Sequence, residues 1–220
     1  MKLIIGSRNY SSWSLRSWLL LTYTGIAFEE VPLRFSAQDF KQQVLRYSPA
    51  GRVPVLIDGD LTIWDSLAIV EYVAENFVDH RLWPAERKQR AEARSVCAEM
   101  HAGFHGLRNH MPMNVGASQP GRGWNVDVDK DIVRIAAIWA ARSRFSAAGP
   151  FLFGHFSAAD AYFAPVVWRF NTYQPKLPAQ ALDYVRTMLA LPAMQAWAAD
   201  AAHEREFIAD DEPYRTGPGR

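Results

Sequence analysis

The 220-residue sequence predicts two unlike domains: an α/β domain over residues 1–80 and an all-α domain over 87–220, joined by a charged linker at 81–86. Three observations predict this. Strand-length apolar runs alternate with helical periodicity only in the first part of the chain. Asp58-Gly59-Asp60 separates two of those runs and reads as a hairpin turn. Beyond "DHRLWPAERKQR", which contains Pro84, the apolar positions recur at three and four residues with no strand signal.

Taken in order, "KLIIG" (2–6) reads as a strand, and from Ser14 the positions Leu15, Trp18, Leu19, Thr22 and Tyr23 fall at helical spacing up to Gly25, a helix stop. "AFEEVPLRF" resumes as a strand, with Pro32 pointing to a sheet edge. "SAQDFKQQVLRYSP" is a short polar helical connection ending before Pro49. The runs "VPVLI" and "LTIW" form the hairpin, and "DSLAIVEYVAENF" places Leu67, Val70, Tyr72, Val73 and Phe77 near one helical face. The order β-α-β, connection, β-β-α is the thioredoxin-like arrangement.

In the second part, Val96, Cys97, Met100, Phe104, Leu107 and Met111 predict one long helix, which "MPMNVGASQPGRGWN" then breaks. Further helices are expected over Asp127–Phe145, Ala158 to about Phe170, Ala179–Leu189 and Ala193–Glu206. The polar tail "ADDEPYRTGPGR" reads as loosely held.

Composition narrows the function classes. With 49% hydrophobic residues and a net charge of +1, the chain can fill a sizeable core and offers no basic tract for nucleic acid. "MKLIIGSRNY" is too short in apolar residues for a signal-peptide core, and no run is long enough to span a bilayer. A cytoplasmic protein with no membrane partner is expected. The single cysteine, Cys97, excludes an internal disulfide and a C-x-x-C pair, so any thiol chemistry uses a thiol from outside.

Three places in the first domain suit an anionic, peptide-like ligand. The stretch "NYSSWSLRSW" (9–18) puts Ser11 and Ser12 where a strand hands over to a helix, whose N-terminus favours an anion. Donation to a thiolate there would lower the thiol pKa, and two units amount to roughly 2.7 kcal/mol. A plain N-cap is the competing reading. Pro54 can leave the backbone of Val53 free to pair with a ligand, or it is an edge-strand proline. Asp65-Ser66 opens a helix, so Ser66 can meet a carboxylate and Asp65 an ammonium, or the pair is an ordinary cap.

Together "SSWSLR", "GRVPVLIDGDLTIWDSLAIVEYV" and "FSAADAYFAP" resemble the cytosolic glutathione transferases over essentially the whole chain. The resemblance implies glutathione as co-substrate, no metal, detoxification chemistry and a homodimer. It implies a cis peptide before Pro54, Val53 pairing with the cysteinyl backbone, Asp65 and Ser66 at the γ-glutamyl end, and Arg52 near the same tripeptide. "SSWSLR" resembles the serine-cysteine stretch of the zeta class, with Trp13 standing where that class has cysteine. This carries the catalytic role to Ser11, with Ser12 as second donor, and ranks Tyr10 below them. Ser157 and Asp160 resemble the family's capping box, a folding element.

For the second substrate, a small electrophile, the helix around "EMHAGFHGLRNHM" offers Phe104 and Arg108 beside Trp13, Arg108 being suited to an acidic substrate. Phe104 as core and Arg108 as a structural residue compete with that reading. His101 and His105 have the spacing of a metal pair but lack a third ligand. The expected function is addition of glutathione to an electrophile. The alternatives are a zeta-like glutathione-dependent maleylacetoacetate isomerase and a binding module of the same fold without turnover.

Overall fold

The computed structural model describes residues 1–77 and 81–216. The expected domain boundary at residue 80 and the last glycines of the tail therefore lie outside the described residues.

β1 (Lys2–Ile5), α1 (Ser12–Thr24) and β2 (Glu29–Pro32) form the crossover unit, with β1 and β2 parallel and Ile4 opposite Val31. After α2 (Phe40–Leu45), β3 (Val55–Asp58) and β4 (Leu61–Trp64) form the hairpin, and α3 (Ser66–Asn76) follows. The sheet order is β2-β1-β3-β4, with β3 antiparallel to both neighbours. Pro32 thus lies in an edge strand, where its missing N–H costs no ladder bond.

Strand alternation divides the core. Leu3, Ile5 and Leu56 join Leu15, Leu19, Ile69, Val70 and Val73 in the main core, whereas Ile4 and Val55 join Val44 and Leu33 in a smaller one. Gly25 ends α1 at φ 71°, its N–H reaching the carbonyls of Leu21 and Thr22. α1 is buried on nearly every side, Arg16, Ser17, Leu20 and Leu21 included, because it lies between the sheet and a helix of the second domain. Its sequence spacing had marked only one face.

The second domain contains α4 (Arg87–Ala102), α5 (His105–His110), α6 (Val126–Ala140), α7 (Ala158–Tyr173), α8 (Ala179–Leu189) and α9 (Pro192–Ala201). The single long helix expected through Met111 is instead two. Gly103 leaves the helix at φ −115° and ψ −162°, Phe104 turns left-handed at φ 60°, and Arg108 donates from Nε to the Gly103 carbonyl at 2.9 Å and also to the Met100 carbonyl. α6 tightens into a 3₁₀ turn over Ala141–Ala148 rather than running to Phe145, and α9 stops at Ala201 rather than Glu206.

α7 begins at the reciprocal Ser157–Asp160 capping box and runs on to Tyr173, past the expected end near Phe170. The described part of the tail is bound, not loose: the Tyr10 hydroxyl donates to Glu212, and the Tyr214 hydroxyl donates to the His110 carbonyl at 2.7 Å. The segment between α9 and the tail is bound too. Glu204 accepts from Ser7 Oγ at 2.6 Å, Arg8 N–H at 2.7 Å and Asn9 N–H at 3.0 Å, while Glu206 accepts from the Ser36 N–H and hydroxyl. Carboxylates after α9 supply acceptors to loop donors that no strand or helix satisfies.

Candidate active site

Register brings the three ligand-suited places to one end of the sheet. Ile4 pairs with Val55 and Val55 with Trp64, so the chain leaving β1, entering β3 and leaving β4 crosses the same edge. That edge lies at the carboxyl ends of the parallel pair β1 and β2, where α/β sheets bind ligands.

Ser11 is the N-cap of α1. Its Oγ accepts from the Ser14 N–H at 3.3 Å and donates to Ser14 Oγ at 2.7 Å, and Ser14 Oγ also accepts from the Gly6 N–H at 3.0 Å. Ser11 and Ser12 are 4% and 6% exposed. The first turn of α1 carries no acidic residue, so no carboxylate there offsets the positive end of the helix. Tyr10 is directed elsewhere: its hydroxyl donates to the Glu206 carbonyl at 3.0 Å and to the Glu212 carboxylate. Burial, reinforced by Glu212, pushes its pKa upward, so the phenol is a poor source of stabilisation for a thiolate.

The Val53–Pro54 peptide is cis, Pro54 is buried, and Val53 stands just outside the ladder, which begins at Val55. Arg52 is exposed beside it. Asp65 adopts φ 67°, a left-handed conformation that costs a non-glycine residue about 1–3 kcal/mol and clusters at functional sites. One Asp65 oxygen accepts from the Leu67 N–H at 2.9 Å, and the other faces His101 Nε2 at 3.5 Å. Ser66 is 1% exposed, with its Oγ 3.0 Å from the hydroxyl of Tyr162 in α7. The helical domain therefore reaches directly into this turn.

Trp13 is half-buried, edge-on to His101 at 5.2 Å, with the Arg16 and Arg108 guanidinium carbons 4.2 and 5.0 Å from its ring centroid. Phe104, at 7% exposure, packs into the main core. Arg108 is anchored on the Gly103 and Met100 carbonyls, and burial lowers its pKa. Arg169 donates to the Met111 carbonyl at 2.9 Å, and Thr172 to that of Asn114 at 2.8 Å. These arginines thus hold the breaks around the α4–α5 segment in place.

Among the described residues, no group of three or more His, Cys, Asp or Glu side chains could hold a metal ion, and no helix is long and apolar enough to cross a membrane. Cys97 is fully buried, which drives its thiol pKa upward and keeps it protonated. Arg16 and Tyr162 were missed in the sequence. The available signal was a lone arginine among "SLRSWLLL", which burial on all sides of α1 makes unusual.

Known proteins share this fold. Family models described as the N-terminal and C-terminal domains of glutathione S-transferase match residues 10–76 and 90–200. A zeta-class glutathione S-transferase of Euphorbia esula is 35% identical over 91 residues, 41% of this chain. That match spans only about 40% of the relative's own length. Maleylacetoacetate isomerase of Rattus norvegicus is 29% identical over 197 residues, covering 86% of this chain and 87% of the relative. A crystal structure of a Burkholderia glutathione transferase homolog with bound glutathione superposes with a TM-score of 0.69 at 24% identity, over 92% of this chain and 98% of the other. With both halves matched and the thioredoxin-like and helical domains in place, the chain belongs to the glutathione S-transferase family.

Proposed function

We propose that the protein is a glutathione transferase that stabilises the glutathione thiolate with Ser11 and adds it to a small electrophile. The observation that carries the reading is the convergence of the α1 N-terminus, the cis Val53–Pro54 turn and the left-handed Asp65 on one sheet edge. The cysteinyl part of glutathione pairs with the Val53 backbone, which leads its sulfur toward Ser11 and Ser12. The γ-glutamyl carboxylate meets Ser66 and the amide end of α3, its ammonium meets Asp65, and Arg52 lies near the tripeptide. Thiolate stabilisation supplies the nucleophile without a strong base, and fixed donors at a helix end do this at little reorganisation cost.

Trp13 faces the electrophile, with Phe104 supporting that side from the core and Arg108 contributing positive potential. The chain acts in the cytoplasm as a homodimer. The exposed Leu61 and Trp64 on edge strand β4 support the pairing, since a bare apolar edge is ordinarily covered. Sizing in solution checks it, and a monomer counts against it.

The likeness to maleylacetoacetate isomerase over most of both chains favours a second reading, reversible thiolate addition that lets a cis double bond rotate. An assay of cis-to-trans conversion with glutathione separates the two, and no conversion despite glutathione binding removes the isomerase. The principal test follows the ultraviolet absorbance of bound thiolate against pH. Ionisation well below the free thiol pKa, lost in Ser11→Ala, is the expected result. Wild-type protein that fails to bind glutathione leaves a non-catalytic module of the same fold.

A further inference from the structure

Arg16 is fully buried between the two domains, and its Nε, Nη1 and Nη2 have no hydrogen-bond partner among the described residues. A buried guanidinium is ordinarily forked onto carboxylates or carbonyls, because desolvating it bare is costly. Here its close neighbours are aromatic, with ring centroids of Trp13 and Tyr162 at 4.2 and 4.8 Å. Burial, then repulsion from Arg108, lowers its pKa to about 9, so it stays protonated at neutral pH. Asp65, the N-cap of α3, attracts it but is half-exposed and already engaged by the Leu67 N–H and by His101.

Tyr162 connects this charge to the proposed site. Its ring lies against Arg16, and its hydroxyl meets Ser66 Oγ at 3.0 Å, at the first residue of α3. The N-cap Asp65 already takes the Leu67 N–H, but no acidic residue follows in the first turn of α3, so the remaining N–H groups of the helix end and Arg16 favour an anion there. A cation over the ring makes the phenol the better donor. Either hydroxyl can donate across this pair, and Tyr162 as donor leaves the serine proton available to a ligand.

We propose that Arg16 is a positioning residue for a ligand carboxylate at the Asp65–Ser66 turn, the γ-glutamyl carboxylate of glutathione, acting through its field and through Tyr162. The inference rests on the glutathione reading above. Arg16 does not touch the ligand. The Arg16 guanidinium carbon lies 4.8 Å from the Tyr162 ring centroid, and the Tyr162 hydroxyl lies 3.0 Å from Ser66 Oγ. For scale, any unit charge at about 8 Å and an effective dielectric of about 20 is worth roughly thirty-fold in affinity.

The test titrates wild type, Arg16→Met and Tyr162→Phe with glutathione and with γ-aminobutyryl-cysteinylglycine, which lacks only that carboxylate. Arg16→Met should weaken glutathione about thirty-fold and leave the analogue nearly unchanged. Its unliganded melting temperature should rise, because an unpaired buried charge gives way to an apolar side chain of similar length. Tyr162→Phe should weaken glutathione less, again sparing the analogue. Equal losses for both ligands, unchanged glutathione affinity, or an Arg16→Met chain that melts lower or fails to fold would each overturn the inference and assign Arg16 to packing. Wild type that binds neither ligand overturns the glutathione reading itself, and the inference with it.

Discussion

The hydroxyl of Ser11 donates to Ser14 Oγ at 2.7 Å, so donation to a thiolate exchanges a neutral acceptor for a charged one. Charge-assisted bonds are about twice as strong as neutral ones, which favours the exchange. The same oxygen caps α1. Ser11→Ala should therefore reduce turnover sharply, spare glutathione affinity, and lower folding stability by about 1 kcal/mol. Ser12→Ala, which removes no cap, should cost less stability than Ser11→Ala. Urea melts beside steady-state kinetics check both, and a turnover loss that follows Ser12 would interchange the roles. Both serines were legible from the strand-to-helix transition, as were Pro54 and Asp65-Ser66 from their turns. Arg16 was not, because a single arginine in a helix ordinarily lies on the surface and only tertiary packing buried it.

At the scale of elements, α7 shows how one buried group can organise a helix. Asp160 accepts from the Leu152 N–H at 3.0 Å, the Ser157 N–H at 2.9 Å and the Tyr184 hydroxyl at 2.9 Å, linking the start of α7 to the preceding turn and to α8. Asp160→Ala would strand these donors and should cost about 3–5 kcal/mol, read as a lower urea midpoint. Burial raises the Asp160 pKa to about 6, above the unfolded value near 4. The native state then holds its proton to higher pH than the unfolded chain, so this contribution is full below about pH 4 and lost as pH rises through about 6. Melting from pH 4 to 7 should show that decline in wild type, worth about 3 kcal/mol, and not in Asp160→Asn. The capping box was legible from the family resemblance of Ser157-Ala158-Ala159-Asp160. The break between α4 and α5 was not, because the same apolar spacing continues across Gly103, and the departure depends on carbonyls that Arg108 reaches only after folding.

Across the whole molecule, α9 and the segment after it hold the loop that leads to Ser11. Glu204 accepts from Ser7, Arg8 and Asn9, Trp197 Nε1 donates to the Arg8 carbonyl at 2.9 Å, and Arg8 pairs with Glu30 and, at 3.3 Å, with Asp200. Glu204→Ala removes the acceptor for two backbone donors and should cost about 2 kcal/mol. Faster hydrogen exchange at the Arg8 and Asn9 amides, with lower turnover, is the expected outcome, and Glu204→Gln should recover part of both. Unchanged exchange would show that the loop holds its shape without Glu204. Sequence spacing carries the last helix to Glu206 and leaves 209–220 loose because the partners of both segments lie about 100 to 200 residues away, beyond the reach of local propensity.

The sequence by itself determined the α/β-then-helical order, the hairpin, the edge position of Pro32 and the caps at Gly25 and Ser157, since each depends on local periodicity or on a backbone preference of one residue. Tertiary structure alone decided that α1 is buried on nearly every side, that Ser66 meets Tyr162, that Arg16 is left without a hydrogen-bond partner among the described residues, and that Glu204 and, in the tail, Glu212 close on the β1–α1 loop. Those outcomes depend on which groups remain to satisfy a buried donor or charge once the two domains are packed together, and chain-distant residues supply them.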